Sequence, residues 1–234
     1  MKLKPTLFIF LIIACFKVSA QTRAIQFGIK GSINAVTLSR TLEQDFLVSN
    51  PEKALTGFSA GVFASFNMDR FALQPGVFFT ARGGKTTEGI VLGDIAFRAY
   101  GNWRLYYIQV PVNLVYHIPV KTGSFYLGAG PYIARGLKGK FTPQTLDNNS
   151  IDESDQNDFN IKAQFGNDNN SNFKSFDYGV NGIAGFQFNN GILVNAGYDL
   201  GLSNIQTNNI LLNPTFYNST KNRSFNISIG YMFK

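Results

Sequence analysis

Three groups of residues in this 234-residue chain are of types that chemistry uses. The densest is Asp147, Asp152, Glu153, Asp155 and Asp158, set among Asn148, Asn149, Ser150, Ser154 and Asn157. Hard oxygen ligands at that density could hold a calcium ion. No glycine stands where an EF-hand loop turns, and polar runs of this kind are ordinarily solvated, so the segment reads as a hydrated loop. Asn167-Asp168-Asn169-Asn170-Ser171-Asn172 extends the same low-complexity character. The second group is His117 alone, the single histidine, which any Ser-His site would need as its base. It stands beside the Ile118-Pro119 turn signal and reads as a rim histidine hydrogen-bonded to that turn. The third is Lys30, Arg82 and Asp199, which depends on the strand reading below. No phosphate-binding loop or histidine pair for a metal occurs. No catalytic, cofactor-binding or metal-binding residue is therefore assigned, and the chain reads as a non-enzyme.

What would position these groups is visible in the stretch 104–130, RLYYIQVPVNLVYHIPVKTGSFYLGAG. Tyr106, Ile108, Val110, Val112, Leu114, Tyr116 and Ile118 fall on one face of a strand. Tyr107, Gln109, Pro111, Asn113, Val115 and His117 fall on the other. The first face is unbroken hydrocarbon with a tyrosine near each end, while the second is half polar. Lipid on one side and a polar interior on the other explains both. Eight such strands are expected, near 25–34, 57–67, 71–82, 104–117, 123–135, 176–188, 192–202 and 223–233, with ends uncertain by about 2–4 residues. Their apolar faces include Phe27/Ile29/Ile33, Phe58/Val62/Phe66, Phe71/Val77/Phe79, Phe125/Leu127/Ile133, Tyr178/Val180/Phe188, Val194/Tyr198 and Phe225/Ile227/Ile229/Tyr231.

The connections alternate in length. Those at 67–70, 119–122 and 189–191 are tight, while 35–56, 83–103, 136–175 and 203–222 are long. That alternation predicts an all-β, eight-stranded antiparallel up-and-down transmembrane β-barrel. Strand eight closes on strand one, the termini are expected in the periplasm and the long loops outside the cell. A soluble lipocalin-like barrel, with the apolar faces turned inward, is the rival. An eight-stranded barrel is narrow enough for side chains to fill. Phe63, Phe78, Tyr107, Tyr126 and Tyr132 should point in beside Gly28, Gly61, Gly76, Gly128, Gly130, Gly185 and Gly197, which leaves no open pore. Lys30, Arg82 and Asp199 share that inner face and read as an ion-pair or hydrogen-bond network holding the walls together. The functional alternative is a proton or ion path.

The first twenty residues have the anatomy of a signal peptide: Lys2 and Lys4, an apolar run from Leu7 to Phe16, then Val18-Ser19-Ala20. The run is shorter than the roughly 20 residues of a membrane helix. The chain thus divides into a signal peptide, 1–20, and a barrel domain, 21–234. One rival reading takes Ile12-Ile13-Ala14-Cys15 as a lipobox and Cys15 as a lipidated N-terminus. Cleavage after Ala20 removes Cys15, the only cysteine, and leaves no thiol chemistry. With Lys2, Lys4 and Lys17 also gone, the formal charge of +7 falls by three. The remaining cations are dispersed, which argues against nucleic acid as a partner. The twenty-three Phe, ten Tyr and twenty-three Gly suit interfacial girdles and a crowded lumen.

The hairpin Leu105-Tyr106-Tyr107-Ile108-Gln109-Val110-Pro111-Val112-Asn113-Leu114, followed by Tyr126-Leu127-Gly128-Ala129-Gly130-Pro131-Tyr132, resembles the pattern of PorT-like outer-membrane β-barrel proteins. Phe27-Gly28-Ile29-Lys30-Gly31 and Ile229-Gly230-Tyr231-Met232-Phe233 fit the same family. The resemblance implies an integral outer-membrane barrel without defined activity, and the family's namesake is associated with a protein-secretion and gliding apparatus. The expected partners are outer-membrane lipid and another envelope or secretion-machinery protein, met through the loop 136–175. That loop's apolar residues, Phe141, Leu146, Ile151, Phe159, Ile161, Phe165 and Phe173, are scattered singly among Asn and Asp. They are expected to order only on a partner. A surface adhesin or ligand-binding barrel is the second functional reading, and a lipid-modifying enzyme using His117 the third. No cofactor is implied.

Overall fold

The structure is a computed structural model, and it describes residues 25–42, 53–92, 95–146, 149–150, 161–167, 171–207 and 217–233. The expected signal peptide with Cys15, and the acidic residues Asp147, Asp152, Glu153, Asp155 and Asp158, lie outside them. Ten strands follow in order: β1 Ile25–Leu42, β2 Leu55–Met68, β3 Phe71–Leu92, β4 Ile95–Val120, β5 Gly123–Leu146, β6 Asn149–Ser150, β7 Ile161–Lys162, β8 Phe176–Phe188, β9 Ile192–Gly201 and β10 Tyr217–Met232. The eight long ones form an antiparallel ring, β1-β2-β3-β4-β5-β8-β9-β10, closed by β1 against β10 and by β4 against β5. The two-residue strands β6 and β7 sit off the ring, on the far end of β5. Closure gives every wall strand two neighbours, which is what backbone amides in hydrocarbon require.

Side-chain parity runs as the alternation dictates. Tyr107, Gln109, Asn113 and Val115 are buried, whereas Val112, Leu114 and Ile118 are exposed. Around the wall the exposed residues include Ile33 (70 %), Ile229 (64 %) and Phe27 (62 %). A band of apolar side chains on the outside belongs in a bilayer. This disposes of the lipocalin-like alternative, in which the same residues would line the interior. At one end the strands are joined by short turns. Asp69 adopts φ 60° and Gly191 φ 95° there, a left-handed backbone that Asp tolerates and Gly prefers.

At the other end the strands run well past the expected limits. The segment 83–103, expected as a loop, continues the β3–β4 ladder from Gly83↔Arg104 to Leu92↔Ile95. Likewise 35–42 continues β1 against β10 as far as Leu42↔Tyr217. The apolar alternation of these extensions is weak in the sequence, yet their backbone groups still pair.

The expected partner-dependent ordering of 136–175 needs correction at Phe141, Phe165 and Phe173; Ile151 and Phe159 lie outside the described residues. Strand β5 carries on to Leu146 through a bulge. Tyr107 pairs with Gly136 but Tyr106 with Lys138, leaving Leu137 unpaired. One extra residue flips the inward parity from Tyr132 and Ala134 to Phe141 and Pro143, all buried. Phe141, Phe165 and Phe173 are therefore held by the barrel's own mouth.

Candidate functional site

The lumen is layered. Nearest the short turns lie two apolar clusters, Phe63/Phe78/Leu193/Met232 and Ala72/Val115/Tyr126/Ile183. Large rings fit because glycines face them. A Cβ on Gly185 would lie 2.8 Å from Tyr126 Cζ, far inside contact distance. Along the β1–β2–β3 wall runs a hydrogen-bonded polar ladder, in which Asn34 Nδ2 donates to Ser59 Oγ at 2.7 Å and Ser59 meets Thr80 Oγ1 at 2.8 Å.

Above these layers is Arg82, placed inward by the alternation Phe78, Thr80, Arg82 along β3 and only 2 % exposed. Its Nη1 donates to Asp177 Oδ2 at 2.8 Å and to the Tyr132 hydroxyl at 2.9 Å. Its Nη2 donates to Gln109 Oε1 at 2.8 Å and to Asp199 Oδ2 at 3.3 Å. The Tyr132 ring lies under the guanidinium, 4.6 Å from Cζ to centroid. Asp177 is fully buried and also accepts from Ser203 Oγ at 2.7 Å and Asn222 Nδ2 at 3.0 Å. One planar cation thus ties β3 to β4, β5, β8 and β9, a task that the five-donor fork of arginine suits, and Asn222 joins β10 to the knot through Asp177. Lys30 Nζ stands 5.2 Å from the Phe78 centroid and 5.9 Å from that of Phe63.

Of the expected set of Lys30, Arg82 and Asp199, Arg82 and Asp199 are joined directly, Lys30 lies against the Phe63 and Phe78 rings, and the shortest charge pair is Arg82–Asp177. Sequence reasoning did not name Asp177. Its parity with Asn181 along β8 was the available signal, obscured because Asp177 is the second residue of its strand.

Over the Arg82 knot lies a third cluster: Leu38, Trp103, Leu105, Tyr107, Tyr132, Ala134, Phe141, Phe173 and Ile205, with Ile161, Ala163 and Phe165 packed against it. Trp103 meets Phe173 edge-on at 4.9 Å and Phe141 at 5.2 Å, and Tyr107 meets Phe165 at 5.6 Å. Gly136 leaves the space that the Phe165 ring fills. The residues completing this layer lie within 161–167, 171–175 and 202–207, stitched into the wall by backbone bonds. Ala163 N donates to Gly139 O, Lys174 N to Ile205 O and Ile205 N to Thr220 O, at 2.8–2.9 Å. They rise above β8 and β9, the two shortest strands of the ring, and close the mouth.

His117 is where the strand reading put it, at the short-turn end, half-buried, with Nδ1 3.3 Å from Ser124 Oγ and the ring 5.8 Å from Tyr126. The Ser124 hydroxyl donates to the Phe125 carbonyl at 3.1 Å. Ser124 thus joins the His117 ring to the backbone of the turn. Among the described residues no carboxylate orients the ring. The arrangement suits a strapped turn.

A family model described as outer membrane protein beta-barrel domain matches residues 19–207. No curated protein matches the chain. Among solved structures, Neisserial surface protein A is 14 % identical with a TM-score of 0.42, the match covering 90 % of this chain and 99 % of that one. OprG from Pseudomonas aeruginosa is 16 % identical with a TM-score of 0.41, over 90 % and 97 %. Ail, the attachment invasion locus protein of Yersinia pestis, is 15 % identical with a TM-score of 0.36, over 89 % and 97 %.

Proposed function

Because the chain belongs to the outer membrane protein beta-barrel domain family, we propose that it serves the outer membrane as a sealed, non-enzymatic barrel. In this reading it docks another envelope or secretion-machinery protein at its long-connection end, which faces outside the cell. The observation that carries this is the closed interior. Apolar clusters block one end of the lumen, the Arg82 knot its middle and the Trp103–Phe141–Phe173 layer its mouth. Side chains filling the lumen at these three levels argue against a diffusion pore, which leaves the barrel's work to its outer surface and connections. The secretion-accessory form of this reading comes from the resemblance of the hairpin at 105–132 to PorT-like barrels.

Two measurements test it. Liposomes containing the purified barrel should swell in small sugars no faster than protein-free liposomes. Affinity purification from gently solubilised outer membrane should recover one envelope protein, lost when 147–160 is replaced by a short Gly-Ser turn. Sugar-permeable liposomes would defeat the sealed barrel. Loop-dependent binding to cells or matrix, with no envelope protein retained, would make it an adhesin.

A further inference from the structure

On the outward face of the wall, at its long-connection end, cations stand directly opposite one another. Arg104 on β4 pairs with Lys140 on β5, and Lys140 pairs with Lys162 on β7. Lys85 on β3 is one diagonal step from Arg104, whose own partner there is Gly83. Lys138, one outward position along from Lys140, holds its Nζ 5.7 Å from the centroid of Tyr106. All five are exposed. Their common direction is fixed by inward neighbours: Trp103, Leu105 and Phe141 are buried and Ile161 is packed on the same cluster. Opposed side chains on neighbouring strands lie about 4.5–5.5 Å apart at Cβ, and like charges so placed are destabilising. The carboxylates whose side chains are described are Asp69, in a turn at the far end, and Asp177 and Asp199, inside the Arg82 knot. None of these faces the row.

The level of the row indicates what offsets this repulsion. On β4 the outward residues are apolar or aromatic from Ile118 up to Tyr106, and the next is Arg104. On β5 the apolar run ends at Ile133 and gives way to Arg135, and on β10 it ends at Phe225 and gives way to Arg223. The cations therefore begin where hydrocarbon ends, at headgroup depth beside an interfacial tyrosine. We propose that the Arg104–Lys140–Lys162 row, flanked by Lys85 and Lys138, binds the phosphate groups of an anionic lipid in the leaflet at the long-connection end. Several cations a strand spacing apart match a headgroup bearing more than one phosphate. The inference requires the barrel to sit in a bilayer and is independent of the protein partner and of which compartment that end faces.

The test compares the full barrel refolded into phosphatidylcholine vesicles with and without diphosphoryl lipid A, reading the temperature at which the folded gel band is lost. Lipid A should raise that temperature for the natural chain. The shift should shrink between 0.1 M and 1 M salt as the screening length falls from about 10 Å to about 3 Å. In Arg104→Gln/Lys140→Gln/Lys162→Gln it should vanish, while heat resistance in phosphatidylcholine alone is kept or improved by relief of repulsion. Arg70→Gln/Lys121→Gln, at the opposite end, should retain the shift. Three outcomes would overturn the proposal: an equal shift in the triple variant, a salt-independent shift in the natural chain, or the same shift from inorganic phosphate. A shift that appears only in Asp152→Asn/Glu153→Gln/Asp155→Asn/Asp158→Asn would equally overturn it, assigning the row to the chain's own acidic segment. Should the triple variant fail to insert, the salt series on the natural chain decides alone.

Discussion

Removing the Arg82 side chain would leave Asp177 and Asp199 buried with their compensating charge gone. Breaking a buried pair in this way costs about 3–5 kcal/mol, so Arg82→Ala should lower the urea midpoint sharply. Trp103, the only tryptophan and 2 % exposed, reports the transition. Arg82→Met combined with Asp177→Asn and Asp199→Asn should recover most of the loss, because it removes the charges together. If the combined variant is no better than Arg82→Ala, the knot's contribution lies in its hydrogen bonds and not in charge balance. Arg82 and Asp199 could be placed together from parity alone. Asp177 could not, since only ring closure brings the start of β8 across the lumen from β3.

At the scale of elements, the cap over the mouth and the wall beneath it are held by different interactions. The wall's ladder closes without residues 161–175, whereas the cap depends on packing around Trp103. Phe173→Ala should cost the cap about 3–5 kcal/mol, the usual range for a buried aromatic. Gly136→Val should evict the Phe165 ring from its space. Both variants should shift Trp103 emission to the red while the heat-modifiable barrel band persists. Loss of the band would show that cap and wall fold as one unit. The bulge at Leu137 is the hinge of this arrangement, and no residue type at that position announces it.

For the molecule as a whole, the bilayer is the solvent that gives the exposed apolar band its sense. Val112→Arg puts a charge into that band and should cost about 2–4 kcal/mol near the midplane. Asn113→Ala, one residue along and buried in the lumen, should be milder by the same folding assay. The natural chain should fractionate with outer membrane and migrate anomalously on gels unless heated. Recovery of a folded soluble monomer would contradict the outward-facing hydrocarbon.

Period-two alternation between Tyr106 and Ile118, and the Asp69-Arg70, Lys121-Thr122 and Asn189-Asn190-Gly191 turns, determined the barrel, its strand order and the inward set of Phe63, Phe78, Tyr107, Tyr126 and Tyr132. Such patterns are local, because a strand between lipid and lumen must alternate and a tight turn needs particular residues. Which strands outgrow the membrane, the parity flip at Leu137, the partnership of Arg82 with Asp177 and the folding of Phe165 and Phe173 into the mouth were decided by tertiary structure. Each depends on register between strands distant in sequence, and register is set by closure of the ring, to which no single segment holds the key.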